Sequence, residues 1–297
     1  MASFFPICAN NQSLFRQEKY FLRRSFLAPA VLILFAVISS FTPVRAQQTV
    51  PPDKTVPKPI DKNQKTFTAE QIAESAIFLY GSREQLAKIR RNGIESGRIC
   101  KPTCDAGKVE EATYQRRFVR GDSMDKDKIR VDQKMPTLEY SLIFGSGQLW
   151  GIINGASFTP RQDATSTFFA QHRHSIDNLL RYKENGSTLT LIGKDKQKGL
   201  DLYILDVTDK DKQTTRYYIS AKSLHVLWLE YEEQQVGAGL APLKYSRKFM
   251  DYRYAQGTLV PYRSVLLEDG KQIQETRILN VTYGIKLDDT LFKSPQA

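Results

Sequence analysis

The sequence predicts an α+β fold: a large antiparallel meander of strands with helices gathered on one face. Three observations carry this. From Glu111 onward the chain breaks into short runs of alternating apolar and polar residues, the period of a strand. Helical patterning precedes these runs and interrupts them only once, between residues 163 and 182. The Asp269-Gly270 pair sits between two long strand-like runs, a strong hairpin signal.

The elements follow in order. Leu27 to Phe41 is an apolar run of 15 residues, preceded by Arg16, Lys19, Arg23 and Arg24 and followed by Thr42-Pro43-Val44-Arg45-Ala46. Basic, apolar, then small is the layout of an export signal, and cleavage after Ala46 is predicted. An uncleaved anchor is the other reading, but the run falls short of the roughly 20 apolar residues of a membrane span. Arg23-Arg24 also resembles a twin-arginine signal, so the export route stays open. Residues 47–67 carry four prolines and almost no apolar mass, and are predicted to be an extended leader without a core. The folded domain is expected over 68–297.

Thr68 with Gln71 three residues on is a capping-box start, and Ile72, Ala76, Leu79 and Tyr80 form one apolar face. Gly81 ends this helix. A second helix is predicted from Ser82 to Arg91, stopped by Asn92-Gly93. Strands are predicted at 112–118, 129–131, 138–144, 148–153, 189–192, 200–207, 215–220, 224–232, 244–254, 259–267 and 272–283. Gly145-Ser146-Gly147 reads as a hairpin turn. One long helix, Asp163 to Tyr182, is expected between the two sets of strands, ended by Asn185-Gly186.

After removal of the signal two cysteines remain, Cys100 and Cys104. Without a second soft-ligand pair they read as a small-loop disulfide rather than a metal site. Residues 1–46 hold five basic and one acidic residue, so +7 of the formal +11 stays with the mature chain. Such a surface suits an anionic membrane surface; nucleic acid is not an expected partner of an exported protein. His172 and His174 lie two apart and diverge on a helix, so no metal or other cofactor is expected. His225 reads as a core histidine. Gly145-Ser146-Gly147 lacks nucleophile-elbow spacing, and no phosphate loop or paired carboxylate assembles a catalytic set.

The C-terminal stretch carries the most specific pattern. Tyr254-Ala255-Gln256-Gly257-Thr258-Leu259-Val260-Pro261-Tyr262 leads through a strand and the Asp269-Gly270 turn to Ile278-Leu279-Asn280-Val281. Leu287-Asp288-Asp289 then precedes Phe292 and Pro295. This resembles the end of the LolA-like superfamily of exported bacterial proteins. The resemblance implies an antiparallel half-barrel covered by helices on its concave face, with Phe292 tucked back against the sheet and Pro295 ending the segment. It implies a non-enzymatic periplasmic monomer whose concave face holds an acyl chain or lipoprotein lipid, in outer-membrane lipoprotein sorting. The carrier's gating arginine aligns with no position here. On this reading Trp150, Phe168, Phe169, Trp228, Tyr252 and Tyr262 are the candidate cavity-lining residues; ordinary core packing is the other reading of each. The alternative function is an envelope sensor of the same fold with a filled interior, acting through a partner protein.

Overall fold

A computed structural model describes residues 67–105, 110–235 and 241–293. The expected signal, nearly all of the leader, and Pro295 lie outside them. Helices α1 (Ala69–Tyr80) and α2 (Arg83–Ile89) come first. The capping box forms as the spacing dictates: Thr68 Oγ1 accepts from Gln71 N at 3.2 Å, and Thr68 N donates to Gln71 Oε1 at 2.9 Å. Six strands follow: β1 (Asn92–Lys101), β2 (Glu110–Val119), β3 (Lys128–Lys134), β4 (Glu139–Gly145), β5 (Gln148–Ile153) and β6 (Ala156–Phe158). Next come helices α3 (Gln162–Arg173) and α4 (Ile176–Leu180). The remaining strands are β7 (Thr188–Gln197), β8 (Leu200–Thr208), β9 (Thr214–Ser220), β10 (Val226–Glu233), β11 (Leu243–Ala255), β12 (Thr258–Glu268) and β13 (Lys271–Tyr283).

All the strands belong to one open antiparallel sheet in the order β6-β5-β4-β3-β2-β1-β13-β12-β11-β10-β9-β8-β7. Each strand neighbours the next in sequence, except at one crossing. The segment holding α3 and α4 carries the chain from the β6 edge to the β7 edge, and the meander then returns until β13 pairs with β1. The sheet is a half-barrel with helices on its concave face. Both turns read from the sequence form: Ser146 (φ 51°) and Gly147 (φ 74°) join β4 to β5, and Asp269 (φ 45°) and Gly270 (φ 82°) join β12 to β13, as a two-residue turn with left-handed backbone requires.

Two predictions are corrected. Asn92-Gly93 does not merely stop a helix but opens β1, which lies beside β13 at the middle of the sheet. Gly97 within it cannot hold a side chain, since an added Cβ would lie 2.2 Å from the Arg277 carbonyl oxygen and 2.9 Å from the Tyr114 ring. The long helix expected over 163–182 is broken at His174, which leaves helical geometry (φ −91°, ψ 69°). The His174 ring is drawn into the sheet, with Nδ1 2.7 Å from Thr215 Oγ1 and Nε2 3.2 Å from Glu233 Oε1. Tertiary hydrogen bonds thus override local helical preference.

The concave face is solid in one half and hollow in the other. Under α1 and α4, strands β8 to β10 bury Tyr203, Leu205, Tyr217, Ile219 and Leu229 against Ile72, Ile77 and Leu179, none more than 7 % exposed. Around β1 to β4 the cover is α3, and a cavity remains beneath it. The C-terminal end packs on the opposite, convex face. A 3₁₀ turn at Asp289–Phe292 lies against β3 and β4. Lys128 Nζ meets Asp289 Oδ1 at 2.9 Å, and Arg130 Nη1 donates to the Leu291 carbonyl at 3.4 Å. Lys128 and Arg130 alternate with Ile129 and Val131, which face the cavity, so the turn sits outside the sheet. Phe292 is buried, 5 % exposed.

Candidate ligand-binding cavity

The cavity lies between α3, the start of α4 and the concave face of β1–β4 and β11–β13. Its larger lobe measures about 310 Å³ and an adjoining lobe about 150 Å³. Ile99, Ile129, Val131, Leu142 and Phe168 give the larger lobe an apolar wall. Strand alternation explains this: the cross-strand partners Val131 and Leu142 share the concave face, while Arg130 and Ile143 share the other.

Charge is concentrated where the lobes meet. Glu95, Arg116, Asp177 and Arg247 line both, and Arg90, Arg120, Asp127 and Arg181 join them in the smaller lobe. Several are tied down. Arg181 Nη1 donates to both oxygens of Asp127 at 3.0 and 2.8 Å, and its Nε donates to Glu184 at 2.9 Å. Arg120 Nη2 donates to both Glu184 oxygens at 2.7 and 2.8 Å. Arg90 donates to Thr258 Oγ1 and to the Leu259 carbonyl. It also approaches Asp177 at 3.6 Å. Tyr114 Oη donates to Glu95 Oε1 at 2.7 Å. Burial alone would raise the Asp177 carboxyl, but the fields of Arg90, Arg116, Arg120 and Arg181 outweigh it and hold it below the usual range. The Asp177 side chain is nonetheless 46 % exposed, because it faces the cavity rather than packed protein.

His172 also lines the larger lobe, with Nε2 3.0 Å from the Met124 carbonyl. A carbonyl only accepts, so this nitrogen carries the proton. Burial pushes the pKa of His172 down, and that of His174 likewise, so both rings are neutral at pH 7. His174, Thr215 and Glu233 form a hydrogen-bonded chain that resembles a nucleophile, base and acid in order. Thr215 and His174 are each 1 % exposed and line neither lobe, so no substrate reaches them. His174 stacks on Tyr231 at 4.0 Å between centroids and is a satisfied core residue. Among the described residues no group of three His, Cys, Asp or Glu side chains could hold a metal ion.

Of the six aromatic candidates, Phe168 lines the cavity. Phe169 stands behind it, edge-on to Phe144 at 5.5 Å and to Phe168 at 5.8 Å. Tyr252 seals the solid half: its hydroxyl donates to the Val226 carbonyl at 2.5 Å and accepts from Tyr80 at 2.9 Å. Tyr262 packs against the cluster of Ala255, Val260, Val281 and Tyr283, with Arg253 4.8 Å above its ring. The two tryptophans are placed elsewhere. Trp150 pairs with Ile143 on the convex face, near the C-terminal turn. Trp228 stacks on Tyr218 at 4.4 Å and packs with Leu202 and Ile204, whose neighbours Tyr203 and Leu205 face the helices. Periodicity could not choose a face for either tryptophan, because their strands are apolar on both. The charged lining was missed. Arg116 had a signal, since it alternates in step with Ala112, Tyr114 and Phe118, and so had Arg247, in step with Leu243, Tyr245 and Phe249; Glu95 and Asp177 had none.

Cys100 and Cys104 are joined by a disulfide with Cα atoms 5.1 Å apart. The loop it closes docks on Glu275, whose side chain is fully buried. Glu275 accepts from Thr103 Oγ1 at 2.6 Å, Cys104 N at 3.3 Å, Arg263 Nε at 2.8 Å and Arg277 Nε at 2.6 Å. Burial would raise this carboxyl, but the hydrogen bonds from Thr103, Arg277 and Arg263 prevail and bring it to about 2.

No family model and no curated protein matches this sequence. Solved structures do match. A LolA superfamily protein from Nitrosomonas europaea is 12 % identical, with a TM-score of 0.53, over 78 % of this chain and 100 % of its own. A DUF1329 family protein from Desulfovibrio piger is 13 % identical, with a TM-score of 0.53, over 77 % of this chain and 98 % of its own. A domain from Vibrio parahaemolyticus, provisionally named as an outer membrane lipoprotein-sorting protein, is 11 % identical, with a TM-score of 0.51, over 76 % of this chain and 95 % of its own. At such identities the likeness concerns backbone architecture, over about three quarters of this chain. The fold of this chain is the LolA-like half-barrel.

Proposed function

We propose that this chain is an exported, non-catalytic binding protein that holds an acyl chain, free or as the lipid of a lipoprotein, between α3 and the sheet. One observation carries the reading: a cavity of about 310 Å³ with an apolar wall in a fold that could have filled its interior. That volume falls at the lower end of the range for small-molecule sites, roughly 300–1,000 Å³. Each methylene transferred from water onto such a wall contributes about 0.8 kcal/mol, so eight contribute about 6 kcal/mol before the costs of association. The Vibrio domain named for lipoprotein sorting supports the same class of ligand. The N-terminal pattern, with cleavage after Ala46, supports action in the periplasm as a monomer, and the +7 charge of the mature chain supports approach to an anionic membrane surface. The partner-sensing alternative needs a dry, filled core, against which the cavity weighs.

The test is organic extraction and mass spectrometry of the protein purified from its own cell envelope, followed by titration of the stripped protein with a fluorescent fatty acid. A stoichiometric lipid, or saturable uptake at one site, is the expected result. A lipid-free protein that also takes up no acyl probe would end the proposal and favour the partner-binding module.

A further inference from the structure

The acyl-binding reading, on which this inference rests, leaves open which end of a ligand meets the protein's charge. Arg116 and Arg247 line both lobes of the cavity. Among the described residues, neither side chain makes a hydrogen bond and neither has a carboxylate within 4.0 Å; Arg116 lies over the Phe118 ring at 4.8 Å. Arg181, Arg120 and Arg90 are all engaged, as described above. Arg116 stands opposite Glu95 in the register of β1 and β2, but that carboxylate is held by Tyr114. Arg247 is the barer of the two. It is flanked across the sheet by Leu229 and Leu266, burial lowers its pKa, and the neighbouring Tyr231 phenol, which burial pushes up to about 12, is neutral and offers it no charge.

A guanidinium drawn out of water with no acceptor bonded to it is costly to a fold. It becomes favourable once a ligand supplies the anion and the hydrogen-bond acceptors. The same cavity has an apolar wall a few strands away, so charge and grease face one half-open volume. Glu95 and Asp177 on the lining repel any further negative charge, which selects a head with one charge over a multiply charged ion.

We propose that the cavity takes a single-chain amphiphile whose singly charged anionic head, a carboxylate or a phosphodiester, is held by Arg116 and Arg247 while its acyl tail lies along Ile99, Ile129, Val131 and Phe168. A fatty acid and a lysophospholipid share this chemistry. The other arginines of the lining do not compete for the ligand, because carboxylates occupy Arg120 and Arg181 and Thr258 and the Leu259 carbonyl occupy Arg90.

The experiment is calorimetric titration of the stripped mature protein with four probes: laurate, lauroyl lysophosphatidylglycerol, dodecanol and inorganic phosphate. At least one charged amphiphile is expected to bind about tenfold or more tightly than dodecanol, the scale of a charge-assisted hydrogen bond. Which of the two binds better identifies the head. Arg247→Gln and Arg116→Gln are each expected to remove most of that advantage while leaving dodecanol unchanged. Arg247→Gln deletes an unpaired charge, so its denaturation midpoint should be no lower than that of the parent protein, which keeps the comparison valid. Equal binding of dodecanol and both charged probes would overturn the head assignment and leave the acyl reading standing. So would unchanged binding of the charged probes in both variants. Inorganic phosphate binding as tightly as the amphiphiles would assign a free-anion site instead. Failure of every chain-bearing probe would end both readings together.

Discussion

Replacing Glu275 by Gln removes one negative charge from the point where the disulfide loop meets β12 and β13, and keeps the shape. The size of the effect follows from the structure. The folded-state carboxyl lies at about 2, against an ordinary value of 4.5. At about 1.36 kcal/mol per pH unit, that difference corresponds to about 3 kcal/mol of stability linked to ionisation of this one group. The side chain is fully buried, so solvent screening takes little from it. The figure also matches the roughly 3–5 kcal/mol lost when one partner of a buried ion pair is deleted. Because the folded pKa is depressed, the stabilisation is fully present above 4.5 and is lost as pH falls from there through about 2. The assay is urea denaturation of the disulfide-intact protein, parent and Glu275→Gln, at pH 7, 5, 4 and 3. The variant should be about 3 kcal/mol less stable at pH 7, and the two curves should converge on acidification. Equal stability at pH 7, or a gap that persists undiminished at pH 3, would refute the reasoning, since either means the carboxylate is not held by its four donors.

A second pH dependence lies higher. Burial holds His172 and His174 neutral below the ordinary 6.5, so the unfolded chain binds protons first and stability falls as pH drops through 6.5. Urea midpoints between pH 7.5 and 5.5 should decline with acid, and a flat profile would count against neutral, enclosed rings. Phe292→Ala should lower stability by about 3 kcal/mol, the scale of a buried Phe truncation, and hydrogen exchange should quicken first in β3 and β4; uniform exchange rates would show that the C-terminal turn is not what locks them. Gly97→Val should yield no soluble folded protein, because the backbone of β13 blocks the added atoms and the cost exceeds about 4 kcal/mol. A soluble variant with normal near-ultraviolet dichroism would mean that the β1–β13 seam is looser than its geometry.

What the sequence shows and what it hides divide along physical lines. The capping box at Thr68 and the Asp269-Gly270 turn are legible because a few adjacent residues decide them. Strand β2 is legible through the alternation of Ala112, Tyr114, Arg116 and Phe118, and β5, β8 and β12 as short runs rich in apolar residues bounded by turns. β1 is not: Asn92 to Lys101 holds two glycines and mostly polar residues, and it becomes a strand because Tyr114, Phe118 and Tyr283 spread their rings over the space the glycines leave. The break at His174 is decided by Thr215 and Glu233, some 40 and 60 positions away, which no local pattern encodes. The cavity follows the same rule. Its apolar wall could be traced from strand alternation once the sheet was assumed, and Phe168 stood out as an aromatic on the helix expected over 163–182. Its charged end was harder to trace: Arg247 alternates in step with Leu243, Tyr245 and Phe249, but only the space left under the helical cover turns an arginine on that face into part of a cavity.

The pairing of β1 with β13 sets an order of assembly. The two strands at the middle of the sheet are the first and last to be synthesised, with nearly the whole domain between them. Each wing of the meander, β2 to β6 and β7 to β12, is made of neighbours in sequence and needs only short loops to close. The seam between the wings waits for the final hairpin, and closing so long a stretch is slow compared with zipping adjacent strands. Until then both wings keep unpaired edges at the centre of the future sheet. A nascent or translocating chain would therefore remain unsealed, and open to chaperones or to threading through a pore, until residues 271–283 arrive. The arrival of β13, rather than of either wing, is the event that commits this domain to its folded state.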